Sequence, residues 1–117
     1  MSISRDDVEE FLKKLKFKLN FWGILFRDER NKNSQALLDL NITSAYRIEV
    51  IKNLQVIDYS EGPHKDNLYK LSDMWIFGKA IKNTEIYIKI SLGNKDSKVI
   101  CISFHPASSS MDYPFKS

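Results

Sequence analysis

Cysteine is almost absent. Cys101 stands alone in 117 residues, so no disulfide can close within the chain and no cysteine-based metal cluster can form. That favours a reducing, cytoplasmic home. There are two histidines, His64 and His105, and with Cys101 they lack any zinc-ligand spacing. Four glycines and three prolines exclude a collagen-like chain, and none of the glycines builds a phosphate-cradling loop. No metal and no small-molecule cofactor is therefore expected. The longest strongly apolar run, Phe21 to Phe26, is far short of the roughly 20 residues of a membrane span. Met1 to Asp7 holds no apolar core of the signal-peptide kind, so no membrane association is expected.

Seven Phe, five Tyr and two Trp are present within a 43% hydrophobic composition. That apolar area excludes global disorder. A chain of this length reads as a single domain, 1–117, able to bury roughly two-thirds of its unfolded surface.

Net charge is +3, and its distribution is uneven. Residues 1–64 hold ten basic and ten acidic side chains, and residues 99–117 one of each. The excess lies in 65–98, where seven lysines (65, 70, 79, 82, 89, 95 and 98) face Asp66, Asp73, Glu85 and Asp96. A local lysine excess suits a polyanion or a solvated surface.

Ser4 and Asp7 form a helix-capping pair. Val8, Phe11, Leu12, Leu15 and Leu19 follow at helical spacing, which predicts a helix over about 5–17. Phe17 to Phe26 is aromatic-rich and reads as a strand. Arg27 to Asn33 is wholly polar and reads as a loop, and Ser34 to Leu40 as a short helix carrying Ala36, Leu37 and Leu40. Thr43 caps a further helix over about 44–54, with Ala45, Ile48, Ile51 and Leu54 at helical spacing. Asp58 to Asp66 is turn-rich, and its Gly62-Pro63 pair predicts loop as far as Ser72.

The period then changes to two. Met74 to Gly78 reads as a strand and Ile81 to Thr84 as a turn. Glu85 to Leu92 is the clearest strand, with Ile86, Ile88, Ile90 and Leu92 on one face. Gly93 to Asp96 signals a hairpin, and Val99 to His105 is its partner. Simple alternation puts Ile100, Ile102 and Phe104 on one side of that partner, with Val99, Cys101, Ser103 and His105 on the other. The tail, 106–117, is expected to cover an edge or fray. Helices over about 5–54 followed by a meander over about 74–105 predict an α+β fold, with helices packed on one face of a twisted antiparallel sheet.

If the isoleucine face is buried under the helices, Tyr87 and Lys89 stand on the opposite face. Ser103 and His105 stand beside them on the neighbouring strand, within the roughly 5–8 Å of cross-strand neighbours. A phenol, an ammonium, a hydroxyl and an imidazole can then converge. A metal-independent ribonuclease needs such groups: a base for the 2′-hydroxyl proton, a cation for phosphorane charge and an acid for the leaving 5′-oxygen. Histidine titrates near neutrality and suits either proton transfer. An open sheet face also carries such residues simply because it is wet. Cys101 and His105 lie about 13 Å apart along a strand, too far for a thiol–imidazole pair. Trp75 is either core or a base-stacking ring. The run from Lys13 to Lys18 reads as a solvated helix end.

The succession Asp58-Tyr59-Ser60-Glu61-Gly62-Pro63, Asp66, Met74-Trp75-Ile76-Phe77-Gly78-Lys79, Glu85-Ile86-Tyr87-Ile88-Lys89-Ile90, Cys101-Ile102-Ser103-Phe104-His105 and Met111-Asp112-Tyr113-Pro114-Phe115 resembles the MqsR family of bacterial toxins. With the lead-in from Leu37 to Thr43, the resemblance covers about residues 35–115. It implies a RelE-like fold and a metal-independent endonuclease that cleaves mRNA by 2′-hydroxyl attack, stopping translation. It also implies a cognate antitoxin, usually a DNA-binding protein. The family's active tyrosine matches Tyr87, and the lysine two residues on matches Lys89. A family lysine after Ser-Phe is His105 here. Another falls near Glu61, and a glutamine after the tryptophan falls at Ile76. The resulting expectation is a toxin endoribonuclease with Tyr87, Lys89 and His105 as catalytic groups and Lys79, Ser103 and Trp75 as RNA contacts. Its antitoxin is expected to dock on the Met74–Gly78 strand or on the tail around Tyr113 and Phe115, with the helices as a further alternative. The alternative is a non-catalytic RNA- or protein-binding module that uses a lysine-rich sheet face.

Overall fold

The computed structural model describes residues 2–27, 35, 37–65 and 72–116. It is α+β. Helix α1 spans Arg5–Trp22. Its start is the expected reciprocal cap: Asp7 N–H donates to Ser4 Oγ at 3.1 Å and Ser4 N–H donates to Asp7 Oδ2 at 2.9 Å. In place of the strand expected over Phe17 to Phe26, the helix continues. Leu19 keeps the buried stripe of Val8, Phe11, Leu12 and Leu15 in phase, while Phe17 and Phe21 turn outward. Gly23 ends the helix at φ 83°, its N–H reaching the carbonyls of Lys18 and Leu19.

A short strand, β1 (Ile24–Phe26), follows. The expected loop over Arg27 to Asn33 lies outside the described residues beyond Arg27, as do Ser34 and Ala36 of the expected short helix; residues 37–39 are helical. Helix α2 spans Ser44–Lys52, with Thr43 Oγ1 accepting from Tyr46 N–H. A 3-10 turn over Val56–Asp58 leads into four more strands: β2 (Tyr59–His64), β3 (Met74–Ile81), β4 (Thr84–Ser91) and β5 (Val99–Pro106).

The sheet order is β1-β5-β4-β3-β2. It is mixed, since β1 lies parallel to β5 while the other pairs are antiparallel. That corrects the expected all-antiparallel sheet. Strand β2 replaces part of the loop expected over 58–72, of which 66–71 lie outside the described residues. The Gly62-Pro63 pair is absorbed by two register shifts against β3. Gly62 sits at φ 115°, where an added Cβ would meet the Met74 carbonyl oxygen at 2.8 Å, so the position requires glycine.

Helix α1 buries its stripe against Ile86, Ile88 and Ile90, none of which is exposed, and against Phe77 and Val99. Phe11 stacks on Trp75 at 4.6 Å between centroids. Strand β5 departs from simple alternation. Lys89 faces Ser103 but Ile90 faces Cys101, so Ile102 is an extra, bulged residue. Before the bulge Val99 and Cys101 enter the core, with Ile100 opposite Ser91 on the outer face; after it Phe104 enters the core. Among the described residues no helix is long and apolar enough to cross a membrane.

The tail crosses the outer face of the sheet. Tyr113 Oη donates to Glu85 Oε2 at 2.6 Å, Met111 N–H donates to Glu85 Oε1 at 3.2 Å, and the Tyr113 ring lies over Gly78. Phe115 then reaches Tyr59, 5.6 Å between centroids. Gly78→Ala should therefore push Tyr113 from its seat and cost about 1–3 kcal/mol, although alanine ordinarily suits a strand better than glycine. In a Tyr113→Ala background the same change should cost little. Equal penalties in the two backgrounds, measured by urea unfolding, would show that Tyr113 does not depend on the gap at Gly78.

Candidate functional site

On the outer face Tyr87 sits directly opposite His105 in β5 and Gly78 in β3. The Tyr87 and His105 rings stack with centroids 5.2 Å apart and planes 16° apart. One step along, Lys89 faces Ser103 and Ile76, and Lys89 Nζ lies 5.9 Å from the Tyr87 ring centroid. All four polar side chains are half-buried. The bulge at Ile102 makes this grouping possible. It resets the phase of β5 so that Ser103 and His105 share the outer face while Cys101 and Phe104 both enter the core.

His105 Nδ1 lies 2.8 Å from the Pro106 carbonyl oxygen. A carbonyl only accepts, so Nδ1 carries the hydrogen and Nε2 is not engaged by this contact. Tyr87 lines an open groove of about 580 Å³ between β2 and the tail, together with Ser60, Glu61, Ser108, Met111 and Asp112. Burial first, and the Glu61 charge second, push the Tyr87 phenol above the usual tyrosine range. It is therefore a hydrogen-bond donor near neutrality and not a base. Glu61 Oε1 also lies 3.4 Å from His64 Nε2.

Two expected RNA contacts stand elsewhere. Lys79 lies opposite Ile86 on the helix side of the sheet, and its Nζ is 3.2 Å from Asp58 Oδ2. Trp75 lies opposite Ile90 on that same side, against Phe11. Among the described strand residues Lys89 is the one lysine of the outer face, so the sheet does not present a lysine-rich surface. Strand β3 is interior, flanked by β2 and β4, and cannot accept an added strand. The expected tail anchors Tyr113 and Phe115 are engaged with Glu85 and Tyr59.

Glu61, His64 and the serine-rich tail wall were not foreseeable from spacing under a loop reading of this stretch. Reading Tyr59 to His64 as a regular strand would have put Glu61 on the core side with Tyr59; the register shift between the two sets it opposite Ile76 instead, and spacing alone carries no sign of that shift. Among the described residues no group of three or more His, Cys, Asp or Glu side chains is arranged to hold a metal ion. Comparison with protein-family models, with curated proteins and with solved structures finds no match.

Glu61→Gln should lower the pH at which Tyr87 ionises, because one of its two causes of elevation is removed. The shift should be partial, since burial is the larger cause. Ring-labelled tyrosine NMR across an alkaline titration reads it directly; an unmoved Tyr87 would mean that Glu61 does not act on this ring.

Proposed function

We propose that this chain is a metal-independent endoribonuclease of the MqsR type, a toxin with a RelE-like fold, acting in the cytoplasm and neutralised by a cognate antitoxin. The observation that carries the reading is the cross-strand pairing of Tyr87 with His105, with Lys89 and Ser103 in the next row of the same face. RNA cleavage by 2′-hydroxyl attack needs two proton transfers and one site for phosphorane charge. His105 Nε2 takes or gives a proton at the reacting oxygens. Lys89 supplies positive charge at the non-bridging phosphate oxygens. Tyr87, held protonated, donates a hydrogen bond and positions the phosphate. Ser103 adds a second donor beside Lys89. Glu61, in the groove that Tyr87 lines, provides a carboxylate that takes the 2′-hydroxyl proton where His105 gives one to the leaving 5′-oxygen.

Purified protein should cleave single-stranded RNA with undiminished rate in EDTA, leaving 2′,3′-cyclic phosphate ends. His105→Ala and Lys89→Ala should stay folded, because both side chains point away from the core, and should lose roughly 10²–10⁴-fold in kcat/KM. Tyr87→Phe should retain the ring stack and lose the donor, with a smaller loss. Ile88→Asp should unfold the chain by burying an unpaired charge. Products ending in 3′-hydroxyl, or a folded His105→Ala protein cleaving at the parent rate, would defeat the assignment.

A further inference from the structure

The lysines of the chain gather at a different place from the sheet face. The second half of α1, from Lys13 to Trp22, carries four lysines and no acidic residue. Two aromatic rings stand out from it: Phe17 is 69% exposed and Phe21 68%. Their planes are nearly parallel, 4° apart with centroids at 6.2 Å, and Trp22 meets Phe21 edge-on at 5.0 Å. Lys18 Nζ binds the carbonyls of Leu92 and Asn94, which fastens the β4–β5 hairpin against this end of the helix. That hairpin brings Lys95 and Lys98, both exposed. Phe17, Leu92 and the aliphatic stems of Lys13 and Lys14 line a shallow apolar recess of about 320 Å³.

From these observations we infer that the C-terminal half of α1, with the β4–β5 hairpin, is a docking surface for single-stranded RNA. Bases stack on Phe17, Phe21 and Trp22, and phosphates pair with the surrounding lysines. Glu10 lies 3.9 Å from Lys14 and Asp96 sits on the hairpin, yet the six lysines leave the surface net positive; that charge favours an anionic occupant, and the arrangement selects among anions. At 100° per residue Lys13, Phe17, Phe21 and Lys14 fall within an arc of about 100° in that order, so cations and rings share one face. A membrane-surface helix instead segregates its cations from its apolar stripe. An acidic amphipathic protein helix needs a continuous concave groove, whereas these rings project from a convex helix. A single strand of RNA offers phosphates and π-faces at short repeat, which is what interleaved lysines and rings accommodate.

The inference rests on the endoribonuclease reading only for the link between this surface and the chemistry. Lys89 lies three residues before Leu92, about 10 Å along the strand. A strand of RNA leaving the sheet face past Lys89 would cross the hairpin lysines and reach Phe17. The α1 surface then holds the substrate away from the scissile bond.

Two variants test it, Phe17→Ala/Phe21→Ala and Lys13→Glu/Lys16→Glu, all at exposed positions outside the candidate catalytic groups. The binding probe is a 2′-O-methyl oligouridylate of about 20 nucleotides, long enough to cover the surface and lacking the hydroxyl that attacks. The ring variant should bind it at least roughly tenfold more weakly. The lysine variant should also lower the slope of log affinity against log salt by about 0.7 for each phosphate it no longer neutralises. On cleavable RNA of the same length, KM should rise with kcat unchanged. Parent protein that binds the probe through these residues yet cleaves nothing would uphold the surface and defeat the nuclease reading. Unchanged probe affinity in both variants would overturn the inference, as would loss of binding to phosphatidylserine vesicles with RNA binding intact.

Discussion

Burial of Ile86, Ile88 and Ile90 beneath α1 is the constraint on which the rest of the molecule depends. Each fully buried aliphatic side chain contributes about 1.5–3 kcal/mol, so the three together rival the about 5–15 kcal/mol net stability of an ordinary domain. No alternative register of β4 can be tolerated, because a slip of one residue would exchange the isoleucines for Glu85, Tyr87, Lys89 and Ser91. The placement of Tyr87 and Lys89 is thus a by-product of hydrophobic burial, fixed as firmly as the core itself. Strand β5 needs one further device to match it. Without the bulge at Ile102, keeping Val99 and Cys101 in the core would turn Ser103 and His105 inward and Phe104 outward. With it, one strand serves both faces.

The outer face is only partly open. The tail lies across its far end, anchored where Glu85 accepts from both Tyr113 and Met111. Burial, aided by Glu85, raises the Tyr113 phenol well beyond the usual range, so it stays protonated and keeps donating. The sign follows from linkage: a raised phenol favours the folded state until pH rises past the ordinary tyrosine value, where the unfolded chain begins to ionise first. At neutral pH Tyr113 therefore keeps its hydrogen bond to Glu85 at the edge of the groove. The position beneath the Tyr113 ring is Gly78, whose missing side chain leaves the room the ring occupies.

Much of this was legible in the sequence where a single period ruled. The buried stripe of α1, both polar helix caps and the pairing of β4 with β5 follow from spacing. The company of Tyr87, Lys89, Ser103 and His105 follows too, but from an unbroken alternation that puts Val99 and Cys101 on the wrong face, because the bulge at Ile102 leaves no mark in the pattern. The misreadings fall where two signals competed. Phe17 to Phe26 is aromatic enough for a strand, but Leu19 continues the helical stripe and the helix stops only at Gly23. Gly62-Pro63 reads as a breaker, yet β2 accommodates it through irregular register at a sheet edge. Hiding β2 also hid Glu61. The parallel pairing of β1 with β5 left no local trace, because three residues join partners about 75 positions away in the chain. Nor did spacing separate the two roles available to Trp75 and Lys79, whose alternation places them among the helices.

Net charge proved less informative than where each lysine goes. Lys79 is held by Asp58, Lys82 donates to the Leu40 carbonyl at 2.5 Å, and Lys18 fastens the hairpin. A phosphate on the sheet face would meet Lys89 and His105 but also the Glu61 carboxylate across the groove. At about 4 Å near a protein surface a single charge pair contributes only a few kcal/mol before desolvation, and a nearby like charge reduces it. Such a face is suited to stabilising charge that develops during a reaction, where fixed donors matter most, and is poorly suited to gripping a long polyanion. Affinity for an extended strand must then come from another surface. Exposed rings and an excess of lysine over acid stand together at the end of α1, joined to the sheet face by the hairpin that Lys18 holds. On the proposed endoribonuclease reading, binding and chemistry would then lie at opposite ends of one short path over the β4–β5 turn.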